Sequence, residues 1–326
     1  MSSTSGPSMV NLQGNVSTQD SVSAYKDLLQ RFLTLSPFKL TSYQADTDFD
    51  QEVIRGCMSV QDPLKRQELA QLGAAAAKCF YPTHARKVQI VIATFTALMF
   101  SIDDLGRKFP DALRAVRTKI MLREPQGNKQ IEDFLNMAFQ MEEWLDTFAV
   151  DMVFKGQLEF LSANLVENEN GDQLCPHKST PYFLRNYFRL KSGISEPYAF
   201  FIWPADVIAQ AGNHCCTPLA VMPDLMTWID DTNDVMSFYK ESIIGNERNN
   251  CVSIDARAIG KTPLESVKDY VESAMESLIR ILEFAKVQQP EVRKKLQEFI
   301  NGYITFHYNY PRYRLKELNL NLPGGN

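Results

Sequence analysis

Helix breakers are scarce in this sequence: 326 residues carry 15 glycines and 16 prolines. So few interruptions exclude a many-turned β architecture and favour long helices. No C-x-x-C pair occurs among the six cysteines, Cys57, Cys79, Cys175, Cys215, Cys216 and Cys251. The four histidines, His84, His177, His214 and His307, stand far from one another in the chain. Zinc spacing is therefore missing, and reduced cysteines in a cytoplasmic protein are expected. An excess of positive charge is missing too. The net charge of −5 argues against nucleic acid or an anionic membrane surface as the main partner, while allowing a local basic pocket. Residues 1–20 have no basic start and no apolar run, so they read as a disordered tail and not a signal peptide. The most apolar run, residues 88–102, includes Gln89, Thr94, Thr96 and Ser101. It is shorter than the ~20 residues a membrane span needs, so a buried core helix is expected and no span.

What is present is helical periodicity. Tyr25, Leu28, Leu29, Phe32 and Leu33 repeat at spacings of three and four. Further helices are expected over 63–79, 85–104, 130–165 in two pieces, 180–191, 196–216 with interruptions at Pro197 and Pro204, 219–244, 264–287 and 290–308. Residues 168–178 read as a loop. Strand alternation and repeats are absent. The expected fold is all-α: one domain over 21–326, of about ten or more helices, able to surround an apolar cavity.

Two constellations carry chemistry. Asp103 and Asp104 are adjacent carboxylates at the end of the most apolar helix. Negative charge at a helix C-terminus is unfavourable unless solvated or met by a cation. Asn233, Ser237 and Glu241 stand at i, i+4 and i+8, one face of an α-helix with steps of about 6 Å. Amide, hydroxyl and carboxylate oxygens together suit a hard ion such as Mg²⁺. A polar solvated face would have the same spacing.

The string Asn233–Glu241, NDVMSFYKE, resembles the second metal motif of class I terpene cyclases and in particular the fungal trichodiene synthase family. Asp103-Asp104 lies where that family carries its aspartate-rich motif, although Arg107 stands at its fifth position instead of an acid. Arg312-Tyr313 resembles the C-terminal Arg-Tyr pair, and Arg189, just before Ser192-Gly193, the diphosphate-sensing arginine. The matches run in order from Arg86 to Arg314. The stretch after Tyr313 is shorter than in trichodiene synthases, which points to another sesquiterpene skeleton.

The resemblance implies a class I terpenoid synthase bundle and an Mg²⁺-dependent cyclase that ionises a prenyl diphosphate. Three Mg²⁺ ions are implied, with Mn²⁺ as a substitute: two on Asp103 and the third on Asn233, Ser237 and Glu241. Arg189, Lys240, Arg312 and Tyr313 would hold the diphosphate, and Asp104 would pair with Arg312 on closure. Counting back from Asp103, Met99, Thr96, Phe95 and Ile92 would line the cavity wall. Phe95, Phe200, Trp203 and Phe306 are candidates for cation–π stabilisation of a carbocation, about 0.5–2 kcal/mol each, and Gly193 for presenting a carbonyl to it. Farnesyl diphosphate is the expected substrate, with geranyl or geranylgeranyl diphosphate, or an inactive helical homologue, as alternatives. Dimers are common among the proteins it resembles, so self-association would give a homodimer.

Overall fold

The computed structural model describes residues 18–42, 44–171, 174, 187–210 and 216–322. Most of the expected tail therefore lies outside the described residues, and so do Cys175, Cys215, His177, His214 and the first part of the expected 180–191 helix. Residues 18–20 already belong to the first helix.

Fourteen α-helices follow one another among the described residues, and no strand occurs there. They are α1 (Thr18–Leu35), α2 (Thr47–Gly56), α3 (Pro63–Phe80), α4 (Arg86–Leu105), α5 (Pro110–Leu122), α6 (Lys129–Met141) and α7 (Thr147–Asn170). Then come α8 (Arg189–Ser192), α9 (Ser195–Phe200), α10 (Ala205–Gln210), α11 (Cys216–Phe238), α12 (Cys251–Ile259), α13 (Pro263–Lys286) and α14 (Pro290–Asn309). The starts are chemically marked. Asp46, Asp62, Asn128, Asp146, Asn250 and Thr262 cap first turns with side-chain oxygens, and Thr262 forms a capping box with Glu265.

Two helix pairs set the frame: α3 lies along α4, and α11 along α13. The first closes tightly at Gly73, where a Cβ would strike the Ala93 carbonyl. Between these pairs α7, α9 and α14 complete the wall. Helix α4 is long and apolar enough by composition to cross a bilayer, which the 15-residue run alone was not. Its apolar window is 61% buried inside the protein, the behaviour of a core helix.

Helix α11 does not continue as α-helix to Ile244. Residues Tyr239–Ile243 form a π turn, in which the Ile244 N–H donates to the Tyr239 carbonyl at 3.0 Å. After α14 the chain turns through Pro311–Tyr313 and Leu315–Leu318, burying Leu315 and Leu318. It is then tied to α1 by reciprocal bonds between Gln30 and the Asn321 backbone, 2.6 and 2.7 Å.

Candidate active site

Helices α4, α7, α8, α11 and α14, with the π turn and the segment after α14, enclose a cavity of about 850 Å³. Along α4 the wall runs from buried Thr96 and Met99 up to exposed Asp103, so the acidic pair stands at the mouth. Phe80, Phe160, Tyr198, Ile229, Tyr303 and Phe306 add apolar and aromatic wall.

Not every expected wall residue reaches the cavity. Thr96 is seven residues before Asp103, within about 20° of it around the helix, and Met99 about 40° away; both line the wall. Phe95 is turned about 80° away and packs instead against Phe134 and Phe201, ring centroids 5.1 and 5.4 Å apart. Ile92 has the right angle but lies about 16 Å down the helix axis, in the core. Trp203 is buried with its indole N–H donating to the Val292 carbonyl at 3.0 Å, and Phe200 packs on Phe148. Neither Trp203 nor Phe200 lines the cavity, whereas Phe306 and Gly193 do.

The two aspartates face different surroundings. Asp104 is held by two cations: Arg312 Nη2 at 3.1 Å and Lys65 Nζ at 2.8 Å. Burial would raise its carboxyl, but Arg312 and Lys65 outweigh burial and hold it below the usual range. Asp103 makes no hydrogen bond or ion pair among the described residues. Its carboxyl opens to the cavity yet sits within the protein envelope, so desolvation and then Asp104 push it up, against Arg312 and Lys240.

On α11, Asn233 and Asp234 reach the cavity, and Glu241 joins them from the π turn. Ser237 is buried, 2% exposed, and is not at the cavity surface. The triplet is thus not one continuous α-face: the wider turn changes the angular step just before Glu241. Arg189, opening α8, faces α11. Its Nε donates to Asp234 at 2.9 Å, Nη2 reaches the Asn233 amide oxygen at 3.3 Å, and Nη1 lies 3.6 Å from Asp230. Burial would depress the guanidinium, but Asp234 and Asp230 hold it far up. Burial lifts Asp230 to about 7 and Asp234 to about 6 despite Arg189. Gly193 fits here because a Cβ would meet Asp230 Oδ1 and Arg189 Nη1. The next residue, Ile194, is β-branched with φ of 51°, a strained conformation at the break between α8 and α9.

The C-terminal segment closes one side. Arg312 lies over the Phe100 ring at 5.1 Å, and Lys240 over the Tyr313 ring at 6.0 Å. Lys240 also pairs with Glu241 at 2.7 Å. Tyr313 is buried against Phe306 and His307. His307 contacts the Tyr303 carbonyl through Nδ1 at 2.7 Å and the Asn233 amide nitrogen through Nε2 at 3.2 Å.

Sequence reasoning missed Lys65, Glu167, Asp230, Asp234, Glu247 and His307. One signal was available: Asp230-Asp231-Thr232-Asn233-Asp234 has D-D-x-x-D spacing and places Asp230 and Asp234 one turn apart. Nothing local marks the others, which are brought in by packing. Arg107 lines the rim and donates through Nε to Asn168 at 3.3 Å.

The donor set fits a hard cation. Burial first and Asp103 next lift Glu167 to about 7, and burial followed by Glu241 raises Glu247. These carboxylates repel one another across the cavity, and a divalent ion would relieve that repulsion. Among the described residues no three acidic, histidine or cysteine side chains converge closely enough to hold an ion alone. An ion here needs ligands of another kind, such as the Asn233 amide, water or phosphate oxygens.

Known proteins share this plan. The sequence model of the family described as Trichodiene synthase (TRI5) matches residues 25–321. An (E)-beta farnesene synthase of Metarhizium brunneum is 29% identical over 300 residues, covering 91% of this chain and 90% of that protein. Terpene synthase BipA of Cochliobolus sativus is 27% identical over 250 residues, covering 76% of this chain and 75% of its own. The solved structure of a cucumene synthase variant superposes with a TM-score of 0.58 at 11% identity, covering 86% of this chain and 99% of that one, a likeness of fold.

Proposed function

Because this chain belongs to the trichodiene synthase family and is a terpene synthase, we propose that it acts on farnesyl diphosphate as a magnesium-dependent sesquiterpene synthase. The observation that carries the proposal is one cavity with two kinds of wall. Carboxylates and cations from α4, α8, the π turn and the C-terminal segment surround its mouth, and aromatic and aliphatic side chains form the remainder. A diphosphate head and a hydrocarbon tail have that same division. The (E)-beta farnesene synthase relative supports a fifteen-carbon substrate by its name.

Asp103 on one side, and Asn233 and Glu241 on the other, would hold the ions, with the buried Ser237 hydroxyl joining them only by turning toward the cavity. When bound, Mg²⁺ supplies Lewis-acid neutralisation of charge on the departing diphosphate. Arg189, Lys240, Arg312 and Tyr313 are the chain's donors to the diphosphate oxygens. The three cations are already matched with carboxylates, Arg189 with Asp234, Lys240 with Glu241 and Arg312 with Asp104. An arriving diphosphate therefore competes for cations that are preplaced and partly desolvated, which favours their response to charge that develops as the C–O bond breaks. The bonding electrons leave with diphosphate, and the carbocation remains against the apolar wall. There Phe80 and Phe306 contribute aromatic wall beside the cation, while the Phe100 ring already carries the Arg312 guanidinium.

The test is diphosphate release from farnesyl diphosphate with and without Mg²⁺, with the product identified by gas chromatography–mass spectrometry. Magnesium-dependent release with a fifteen-carbon product is expected. Preference for geranyl or geranylgeranyl diphosphate would replace the substrate. No release from any of the three would leave an inactive helical homologue.

A further inference from the structure

His307 is 2% exposed and sits on α14 among the rings of Phe80, Tyr303, Phe306 and Tyr313. Both of its nitrogens are engaged, and their partners determine its proton. Nδ1 lies 2.7 Å from the Tyr303 carbonyl, which only accepts, so Nδ1 carries the hydrogen. Nε2 lies 3.2 Å from the Asn233 side-chain amide. The other end of that amide lies 3.3 Å from Arg189 Nη2, which only donates. Asn233 must therefore turn its oxygen to Arg189 and its NH₂ to His307, and Nε2 must accept. A flipped amide would set NH₂ against guanidinium N–H and oxygen against the imidazole lone pair, losing both bonds.

We propose that His307 is a positioning residue which locks the Asn233 amide so that its oxygen, and never its NH₂, is offered to a cation. The inference rests on the reading of Asn233 as a cation ligand. Three facts support it beyond the hydrogen bonds themselves. The lock spans 74 residues, so it forms only when α14 is packed on α11. The imidazole is hemmed in by rings and has no second acceptor for its ring to turn toward among its contacts. The Asn233 oxygen retains a second lone pair while Arg189 occupies the first, so an ion and the guanidinium can share it. An amide free to flip would spend part of its time presenting NH₂ to the ion, and the apparent affinity would fall by that fraction.

Two measurements separate this role from simple packing. The first is the ¹⁵N spectrum of histidine-labelled wild-type protein at neutral pH, with the His307 signal assigned by its loss in His307→Gln. The Nδ1–H tautomer is expected; an Nε2–H tautomer would overturn the proposal, whatever any variant does. The second is the Mg²⁺ concentration needed for inorganic diphosphate to raise the melting temperature, which reads ion binding without turnover. His307→Phe keeps a ring but removes the acceptor and should raise that concentration about tenfold. His307→Gln returns an acceptor oxygen near the Nε2 position and should stay within about threefold of wild type. Asn233→Ala is the control. If it weakens the Mg²⁺ response and His307→Phe does not, the positioning role alone is wrong. If Asn233→Ala leaves the response unchanged, the ligand reading of Asn233 fails and the positioning role with it.

Discussion

Asp104 and Arg312 lie 208 residues apart in the chain and 3.1 Å apart in space, and Lys65, itself paired with Glu68, joins them in one ion cluster. The pair joins the end of α4 to the segment after α14, across the mouth of the cavity. Replacing Asp104 with Asn leaves Arg312 less restrained without removing its charge. The expected result is a 10- to 100-fold fall in kcat/KM, about 1.4–3 kcal/mol of transition-state stabilisation. Steady-state kinetics on purified Asp104→Asn would check it, and wild-type kinetics would show that the cluster does not orient Arg312 for the reaction.

Asp103 has no such partner and is the more exposed of the acidic pair. Asp103→Asn should lower turnover by about 100-fold or more while leaving the melting temperature within a few degrees, since no ion pair is lost. Unchanged turnover would remove Asp103 from the ion-binding set.

Gly193 has no room for a methyl group, because Asp230 and Arg189 close on it. Gly193→Ala should displace the Arg189 guanidinium and cost about 1–3 kcal/mol in stability, measured by urea unfolding. Activity should fall further than that loss explains, because Arg189 would move relative to Asn233 and Asp234. Full activity with wild-type stability would mean the α8–α9 break yields freely.

His84 gives a pH prediction away from the cavity. It is buried, its Nε2 lies 2.8 Å from the Phe201 carbonyl, and burial lowers its pKa from 6.5 to about 4. The unfolded chain gains this proton near pH 6.5 and the folded chain only near pH 4, so the contribution is complete above 6.5 and declines as pH falls through that window. Between pH 7 and pH 5, wild type should lose about 2 kcal/mol more than His84→Gln in urea unfolding. Comparison with the variant is essential, because Glu167 and Asp230, lifted to about 7, act in the opposite direction over the same range. Identical pH dependence in both proteins would show that His84 is not held neutral.

Much of this architecture was legible in the chain. The apolar period of α4 ending in two aspartates, the polar spacing of α11, and Pro263 and Pro290 at helix starts each identify an element from local chemistry. Helices α2, α5 and α12 were not anticipated. Yet their signals were present: Asp46, Pro110 and Asn250 mark the starts, Phe49 and Val53 stand one turn apart in α2, and Leu113, Val116 and Ile120 repeat at three and four spacing in α5. The site was legible where a motif lies within one helix. Lys65 beside Asp104 and His307 beside Asn233 are products of packing, and no spacing along the chain announces them. Phe95 shows the converse: it directly precedes Thr96 but is turned about 100° from it around the helix, which puts one in the core and the other on the cavity wall.

The π turn at Tyr239–Ile243 has the geometry of an α-helix into which one residue has been inserted. Removing one residue from it would restore regular winding and would strengthen the helix in isolation. Because the wider turn absorbs the extra residue, the chain beyond it would keep nearly its present facing, and the loss would fall on the turn itself: Lys240 and Glu241 could no longer both reach the cavity. Chain length in this one turn is therefore as constrained as residue identity, and a shortened relative would have to rebuild that wall from other side chains.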